Sequence, residues 1–337
     1  MFAAAIEPRF QFSTFPHRLT SVAGPAVAGR TMSSALPTRF FRVAISPCGE
    51  MVAAGGEDGK AWLWEAASGR RHSYSLIPGA TVRSVAFVGE GDALAFAGGN
   101  WLRREGVLKV WHLGRSDAKT LWTHNRPITA LAASPDGKYL FAGSGDGVLR
   151  GWDLAGDVEL PTIQAHDDEI TSLAFSPDGY ALATAGADRM VRIWSRKLEP
   201  RASLRGHERV VRDIAFAPAG RRLASIDEQA VLIWNLAEGR SGRLQSGDLP
   251  TGRIAQRLDA PSGFFRGVAF GKDSSSLWTI GASLPGQSET RSWDLDRPTG
   301  KIIRRHDSPL AALAVSPDRS RLAAADSQGR VHLWPIG

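Results

Sequence analysis

Apolar residues recur at fixed distances before a series of short turns, most of which read Ser-Pro-Asp-Gly or a close variant. Relative to the residue before each turn, the second and fifth residues upstream are apolar in all seven copies. The second set is Val43, Val85, Leu131, Leu173, Ile214, Val268 and Leu313, and the fifth set is Phe40, Val82, Ile128, Ile170, Val211, Phe265 and Leu310. Alternation between turn residues predicts strands. Seven copies predict sheets that stack on one another.

A tryptophan closes each copy of the pattern. The seven are Trp64, Trp111, Trp152, Trp194, Trp234, Trp293 and Trp334, and successive members lie 47, 41, 42, 40, 59 and 41 residues apart. The clearest copy runs from His166 to Trp194 and reads as three strands joined by two tight turns. Units of this length and strand content predict one propeller blade each. The chain is therefore predicted to form seven blades.

The repeats resemble the WD-repeat β-propeller family over residues 27–337. Its motifs appear as the Trp-Asp pairs Trp152-Asp153 and Trp293-Asp294, as Gly206-His207, and as the turn 176–179. The resemblance implies an all-β fold: a single seven-bladed β-propeller of four-stranded antiparallel blades.

Closure of the ring is expected to involve the N-terminal region. The chain stops three residues after Trp334, which leaves no sequence for a fourth strand in the last blade. In the family an N-terminal strand completes that blade and removes the open sheet edge. We expect this strand within Val27–Ala35 and expect residues 1–26 to form a flexible arm.

The resemblance also implies a buried polar network within blades, made of a histidine, a hydroxyl, an aspartate and the tryptophan. We expect it to be complete only in the fourth blade, where its members are His166, Thr184, Asp188 and Trp194. The fifth copy has a shorter turn that puts Glu228 in the aspartate position.

A histidine, a hydroxyl and an aspartate could suggest a hydrolase, since a nucleophile needs a base and an orienting carboxylate. Within a blade, the same residues are explained as a satisfied polar network whose hydroxyl is out of a substrate's reach. No histidine pair has metal-ligand spacing, and no glycine-rich phosphate loop precedes a helix. The single Cys48 excludes a cysteine metal cluster. We expect no enzyme activity, cofactor, metal or small-molecule substrate.

Five arginines are predicted to form a basic rim at the channel mouth. Arg83, Arg212 and Arg266 occupy the fourth position before the reference residue, where each inner strand begins, and Arg39 and Arg42 flank that position in the first copy. The alternative is that these side chains lie along solvated strand edges or pair with carboxylates such as Asp213. The acidic run 167–169 at the same loop of the fourth copy predicts a charge-polarised mouth.

Insertions lengthen three turns, and such loops often contact partners. The first, at 97–106, places Trp101 beside Arg103 and Arg104, a composition suited to an interface hot spot or to stacking on a base. Alternatively, Trp101 folds back on its own blade. The others fall at 281–289 and 239–250, and the latter should precede an outer strand that begins near Arg253.

Composition changes the choice of partner more than the choice of fold. The net charge is +7 and the pI is about 10.0, which permits nucleic acid or acidic protein partners. The leading hypothesis is a scaffold or regulatory subunit that binds proteins through the loop faces; the alternative is a nucleic-acid-binding propeller that uses the basic rim and Trp101. The sequence predicts no membrane span, a cytoplasmic location because disulfides are absent, and a monomer.

Overall fold

The computed structural model describes residues 29–34, 37–236, 253–260 and 263–336. Every regular element in these residues is a β-strand. The strands form seven antiparallel sheets, each ordered consecutively along the chain except the one that pairs the first described strand with the last. This is the predicted seven-bladed β-propeller.

The first strand, β1 (Arg30–Ser33), precedes blade one. Blade one comprises β2 (Phe40–Ile45), β3 (Met51–Gly56), β4 (Lys60–Glu65) and β5 (Arg71–Ser75). Blade two comprises β6 (Thr81–Val88), β7 (Ala93–Asn100), β8 (Glu105–His112) and β9 (Ala118–His124). Blade three comprises β10 (Ile128–Ala133), β11 (Tyr139–Ser144), β12 (Val148–Asp153), β13 (Val158–Glu159) and β14 (Ile163–Gln164). The outer strand of blade three is thus split into two short segments, β13 and β14, which both pair with β12.

Blades four and five comprise β15 (Ile170–Phe175), β16 (Ala181–Gly186), β17 (Val191–Ser195) and β18 (Pro200–Leu204); and β19 (Asp213–Phe216), β20 (Arg222–Ile226), β21 (Ala230–Asn235) and β22 (Arg253–Asp259). Blades six and seven comprise β23 (Phe264–Phe270), β24 (Ser276–Leu284), β25 (Gln287–Asp294) and β26 (Thr299–His306); and β27 (Leu310–Val315), β28 (Arg321–Asp326) and β29 (Arg330–Pro335), joined by β1. The outer strand of blade five begins at Arg253, as expected from the sequence.

The Ser-Pro-Asp-Gly turns join the first two strands of a blade. In blade four, the Ser176 hydroxyl accepts a hydrogen bond from the Ala181 amide at 2.9 Å, and Asp178 accepts one from the Tyr180 amide at 3.1 Å. Gly179 has a φ of 71°, a conformation that a side chain would disfavour. The motif therefore recurs because each residue satisfies one requirement of the turn.

Stacking between neighbouring blades makes the core. All fourteen apolar positions predicted from the sequence are buried, with at most 5% exposure, and all seven closing tryptophans are buried. One cluster joins Val43 and Trp64 of blade one to Ala323 and Leu333 of blade seven, so the first and last blades pack together. Since burial stabilises by roughly 25 cal/mol per Å² of apolar surface, this repeated interface is the main source of stability.

The first and last described strands pair in one sheet. β1 pairs with β29 in antiparallel register from Arg30 opposite Leu333 to Ser33 opposite Arg330. The Ser33 carbonyl accepts hydrogen bonds from the Trp64 indole at 3.4 Å and from the Arg71 guanidinium at 3.2 Å, both in blade one. β1 therefore contacts the blades on both sides of the seam. The arm expected over residues 1–26 lies outside the described residues.

The polar network of blade four has the expected members. His166 bonds through Nε2 to Thr184 Oγ1 at 2.6 Å and through Nδ1 to Asp188 Oδ1 at 2.9 Å, and the Trp194 indole donates to Thr184 Oγ1 at 3.1 Å. Burial raises the pKa of Asp188, but hydrogen bonds from His166 and Arg192 outweigh it, so that pKa is lowered. The side chain of Thr184 is fully buried.

The expectation that blade five lacks a complete network is wrong. His207 bonds to Asp227 Oδ2 at 2.9 Å and to Ser225 Oγ at 2.6 Å, and Trp234 donates to the same hydroxyl at 2.7 Å. The shorter turn brings Asp227, not Glu228, opposite the histidine. Asp227 also accepts bonds from the amides of residues 229 and 230, so despite burial its pKa is lowered to about 2.

Candidate partner-binding face at the channel mouth

One face of the propeller collects the predicted partner-binding residues. In an antiparallel blade, the inner strand begins at the same end as the turn between the second and third strands. The mouth face is therefore formed by these turns and by the segments that lead into the inner strands. The turns at 101–104 and 285–286 and the starts of β6 and β23 lie on this face.

A cavity of about 900 Å³ opens at the centre of the mouth face. Four of the five predicted rim arginines line it: Arg39, Arg83, Arg212 and Arg266. Pro285 to Ser288 line it as well, so part of the predicted insertion in blade six reaches the mouth. The repeat alignment thus brings together side chains from blades one, two, five and six, as their equivalent positions require.

Three of these arginines stack on aromatic rings. The Arg83 and Arg39 guanidinium carbons lie 4.9 and 5.2 Å from the centroid of Phe41, and that of Arg266 lies 4.7 Å from the centroid of Phe264. Stacking holds a guanidinium by its face and leaves its edge available to acceptors. Sequence inspection missed Phe41, which occupies the blade-one position held by arginine in blades two, five and six.

The four arginines that line the cavity differ in their electrostatic partners. Arg212 pairs with Glu228 at 2.8 Å. Among the described residues, no carboxylate lies within ion-pair distance of Arg39, Arg83 or Arg266, and the buried Nε of Arg83 has no hydrogen-bond acceptor. Burial lowers the pKa of Arg266, and the nearby charges of Arg212 and Arg39 lower it further, although Glu228 opposes that shift. The arginines therefore form one cluster of like charge.

The acidic run of blade four reaches the same cavity through one side chain. Glu169 lines the cavity and has a raised pKa, chiefly because burial disfavours its charge, although Arg83 and Arg212 oppose that shift. Asp167 and Asp168 are exposed. The charge at the mouth is thus mixed, because Glu57 and Glu169 line the same cavity as the four arginines.

The fifth predicted arginine spans the channel below the mouth. Arg42 of blade one donates to Asp213 Oδ1 of blade five at 2.9 Å, and Asp213 also accepts the Ser172 hydroxyl at 2.8 Å and the Val268 amide at 3.2 Å. The Asp213 side chain is 6% exposed and that of Arg42 is 26% exposed. For Arg42 the alternative of pairing with Asp213 therefore holds.

This ion pair separates two spaces. A chamber of about 90 Å³ lies between the pair and Arg83, Arg212 and Arg266 above it. On the other side, a cavity of about 540 Å³ opens to the opposite face and is lined mainly by apolar residues and by turn prolines such as Pro47 and Pro135. The mouth cavity consequently ends in a polar floor.

The lengthened turn of blade two forms a pinned hairpin. Asn100 accepts the amides of Leu102 and Arg103 at 2.9 and 3.1 Å and donates to the Gly79 carbonyl at 2.8 Å. Trp101 packs against Gly145 of blade three, so close that a Cβ there would lie 2.3 Å from its ring. Trp101 thus contacts the next blade, contrary to the alternative that it folds back on its own, and it remains 41% exposed.

The tip of this hairpin presents apolar surface that sequence inspection missed. Leu102 is 96% exposed, beside exposed Arg103 and Arg104. Nothing in its local pattern distinguishes it from a buried leucine, because the inserted turn has no counterpart in the other repeats.

Within the described ranges, no three His, Cys, Asp or Glu side chains are arranged to hold a metal ion. The same part of the chain contains no helix with the length and apolar character needed to cross a membrane. Cys48 is exposed and unpaired by any disulfide among the described residues.

The geometry defines a closed seven-bladed β-propeller with buried polar networks and a cavity at one mouth. The family model described as WD domain, G-beta repeat matches residues 39–65, 116–153, 158–195, 198–235 and 298–335, together more than half of the chain. The chain belongs to the WD-repeat family. Two inner strands, β6 and β23, fall outside these matches. They belong to blades two and six, whose second turns are lengthened.

Curated relatives match part of the chain. Small ribosomal subunit protein RACK1y of Oryza sativa subsp. japonica is 33% identical over 125 residues, covering 34% of this chain and 34% of that protein. Small ribosomal subunit protein RACK1 of Medicago sativa is 34% identical over 131 residues, covering 33% and 38%. The match spans about a third of the length of these relatives.

A solved structure matches nearly the whole chain. A chain in the crystal structure of a mitotic checkpoint complex superposes with a TM-score of 0.75 at 20% identity, covering 96% of this chain and 100% of that chain. At this identity the likeness establishes the fold alone.

Proposed function

We propose that the chain is a non-catalytic scaffold or regulatory subunit that binds protein partners through the mouth face. A rigid disc with variable loops suits this role, and the curated relatives named above are small ribosomal subunit proteins by their names, which makes them members of a larger assembly. We further propose that it acts in the cytoplasm and is monomeric on its own, since the faces between blades are already packed within the ring and give no reason to associate with a second copy.

The observation that carries the proposal is the arrangement of donors around the 900 Å³ mouth cavity. Arg39, Arg83 and Arg266 are held by aromatic stacking and, within the described residues, lack carboxylate partners. Preorganised donors lose less conformational freedom on binding than mobile ones do. The pinned hairpin adds Trp101 and Leu102 on the same face, and aromatic and arginine side chains dominate binding energy at protein interfaces.

A catalytic role receives no support from the residues that resemble a hydrolase triad. The hydroxyls of Thr184 and Ser225 are fully buried and bonded to histidine and to the tryptophan indole. A substrate bond would have to enter the space between two packed blades to reach either one. The networks are best explained as the internal support of blades four and five.

The nucleic-acid alternative has less support than protein binding. Trp101 contacts Gly145 through the outer edge of its six-membered ring and is 41% exposed, so only part of its surface is open to a base. The basic cluster is confined to a funnel that also contains Glu57 and Glu169, unlike a groove that follows a phosphate backbone. None of the comparisons supports this alternative.

Affinity capture of the tagged chain, with and without nuclease, tests the proposal. The variant reverses three charges, Arg83→Glu, Arg212→Glu and Arg266→Glu, and a matched control reverses the three exposed arginines Arg70, Arg115 and Arg297 in loops of the opposite face. We expect a defined protein to survive nuclease, to persist with the control and to be lost with the triple variant. Retention of nucleic acid alone, released by the triple variant and by salt, would replace the proposal with the alternative.

A further inference from the structure

Below the mouth, the arginine ring and the cross-channel ion pair enclose a small polar chamber. Arg83, Arg212 and Arg266 border its upper side, and Arg42 and Asp213 border its lower side. Its volume of about 90 Å³ exceeds the roughly 30 Å³ share of one water in the liquid, so a small polar group fits. The mouth cavity leads directly to it, because both spaces share Phe41, Arg83 and Arg212 in their walls.

The donors at this site are poorly satisfied within the chain. Asp213 accepts hydrogen bonds from Arg42, Ser172 and the Val268 amide, which hold it in the floor. The Nε of Arg83 is buried without an acceptor, and no ion pair involves Arg83 or Arg266 in the described residues. A buried donor that lacks a partner is unfavourable. An acceptor in the chamber would meet Arg83 and Arg266 without displacing an existing ion pair of either side chain.

The charge at the site selects the acceptor. Four arginines line the mouth cavity against the carboxylates of Glu57 and Glu169, and Glu228, which pairs with Arg212, also attracts Arg266. Arg266 lies near Arg212 and Arg39, which repel it. An anion relieves this repulsion, and a guanidinium edge matches the two oxygens of a carboxylate. A cation or an apolar side chain would leave the donors unsatisfied.

We propose that the mouth cavity binds an acidic peptide segment of a partner protein, with one carboxylate of that segment in the chamber between Arg83, Arg266 and Arg212. This inference rests on the proposed function and specifies the chemistry of the partner. The polar floor at Arg42 and Asp213 limits the segment's depth, so its backbone stays in the 900 Å³ cavity and only a side chain or a chain terminus descends.

A defined peptide tests the inference without a known partner. The probe is an end-capped, fluorescently labelled ten-residue peptide of alternating Glu and Ser, titrated against the full chain and followed by anisotropy. The comparison peptide has Gln in place of Glu, and a ten-nucleotide oligo-dT reports binding of polyanions in general. The variant is Arg83→Gln with Arg266→Gln, and the control is Arg115→Gln with Arg297→Gln, which removes the same charge from the opposite face.

We expect the Glu peptide to bind, the Gln peptide not to bind, and the mouth variant to weaken binding at least about tenfold, because each lost arginine removes charge-assisted hydrogen bonds. The control variant should stay within about twofold of the wild type, since it changes only distant charge. Glu169→Gln should tighten binding several-fold by removing a carboxylate from the cavity wall.

Equal binding by the two peptides, equal weakening by the control, or stronger Arg83-dependent binding of oligo-dT would overturn the inference. A peptide-induced rise in the melting temperature of the wild-type chain gives a second measurement that needs no variant. If the Glu peptide does not bind, but affinity capture retains a protein that the charge-reversed variant loses, the proposal of an acidic segment is wrong and the scaffold proposal stands. If the peptide binds but no protein is captured, the scaffold is wrong.

Discussion

The Arg42–Asp213 ion pair should make a large contribution to stability, because it joins inner strands across the channel. Asp213→Ala leaves the Arg42 charge, the Ser172 hydroxyl and the Val268 amide without their shared acceptor. Removing one member of a buried pair costs about 3–5 kcal/mol. Since the Arg42 side chain is 26% exposed and can recover some hydration, we expect a loss of about 2–4 kcal/mol.

Urea unfolding followed by tryptophan fluorescence measures this loss as a shift in midpoint at constant slope. Asp296→Ala removes an exposed carboxylate from a turn and should change the free energy of unfolding by less than about 0.5 kcal/mol. The double variant Arg42→Met with Asp213→Leu should lose less free energy of unfolding than the sum of the losses of the single variants Arg42→Met and Asp213→Leu, because no charge is left unpaired. Additive costs, or a loss below about 0.5 kcal/mol for Asp213→Ala, would refute the reasoning.

Three further predictions concern the buried networks and the hairpin. Burial, with the charges of His332 and Arg304, lowers the pKa of His306 from 6.5 to about 4. The stability that neutral His306 contributes is therefore fully present above pH 6.5 and falls as the pH drops towards 4. Between pH 7 and 4.5, the free energy of unfolding of the His306→Gln variant should therefore fall by roughly 2 kcal/mol less than that of the wild type, as measured in unfolding titrations. Thr184→Val leaves His166 and the Trp194 indole unsatisfied and should cost about 2–3 kcal/mol by urea unfolding; a loss under about 0.5 kcal/mol would contradict the network's role. Gly145→Ala displaces the hairpin ring that packs on it, so limited trypsin digestion should cut that hairpin several-fold faster, and an unchanged rate would contradict the pinning.

The periodic part of the fold could be predicted because each blade repeats the same packing requirement. Phe40 and Val43 have equivalents in every copy, and each equivalent is buried between blades. Seven independent copies of one constraint identify the strands, their faces and the number of blades. The same alignment placed Arg83, Arg212 and Arg266 at equivalent heights in the ring, which is why three separate sequence segments could be predicted to meet.

The features that escaped prediction depend on how unequal elements meet in space. The shorter turn of blade five moves the carboxylate partner of His207 to Asp227, and counting residues from the preceding blade selects Glu228 instead. The rest of the floor around Arg42 depends on Ser172 and Val268, which lie in other blades, and no spacing rule links them. The contact of Trp101 with Gly145 likewise joins an insertion to a neighbouring blade, so the repeat pattern holds no information about it.

Site-specific photocrosslinking tests the central claim, that the mouth face binds a protein, most directly. A photoreactive residue is placed at Leu102 or Gln287 on the mouth face and, as a control, at Asp296 on the opposite face; all three positions are exposed. We expect a protein adduct of one defined size from Leu102 and Gln287, resistant to nuclease and absent from Asp296. Adducts only from Asp296, or nucleic-acid adducts alone from the mouth face, would contradict it.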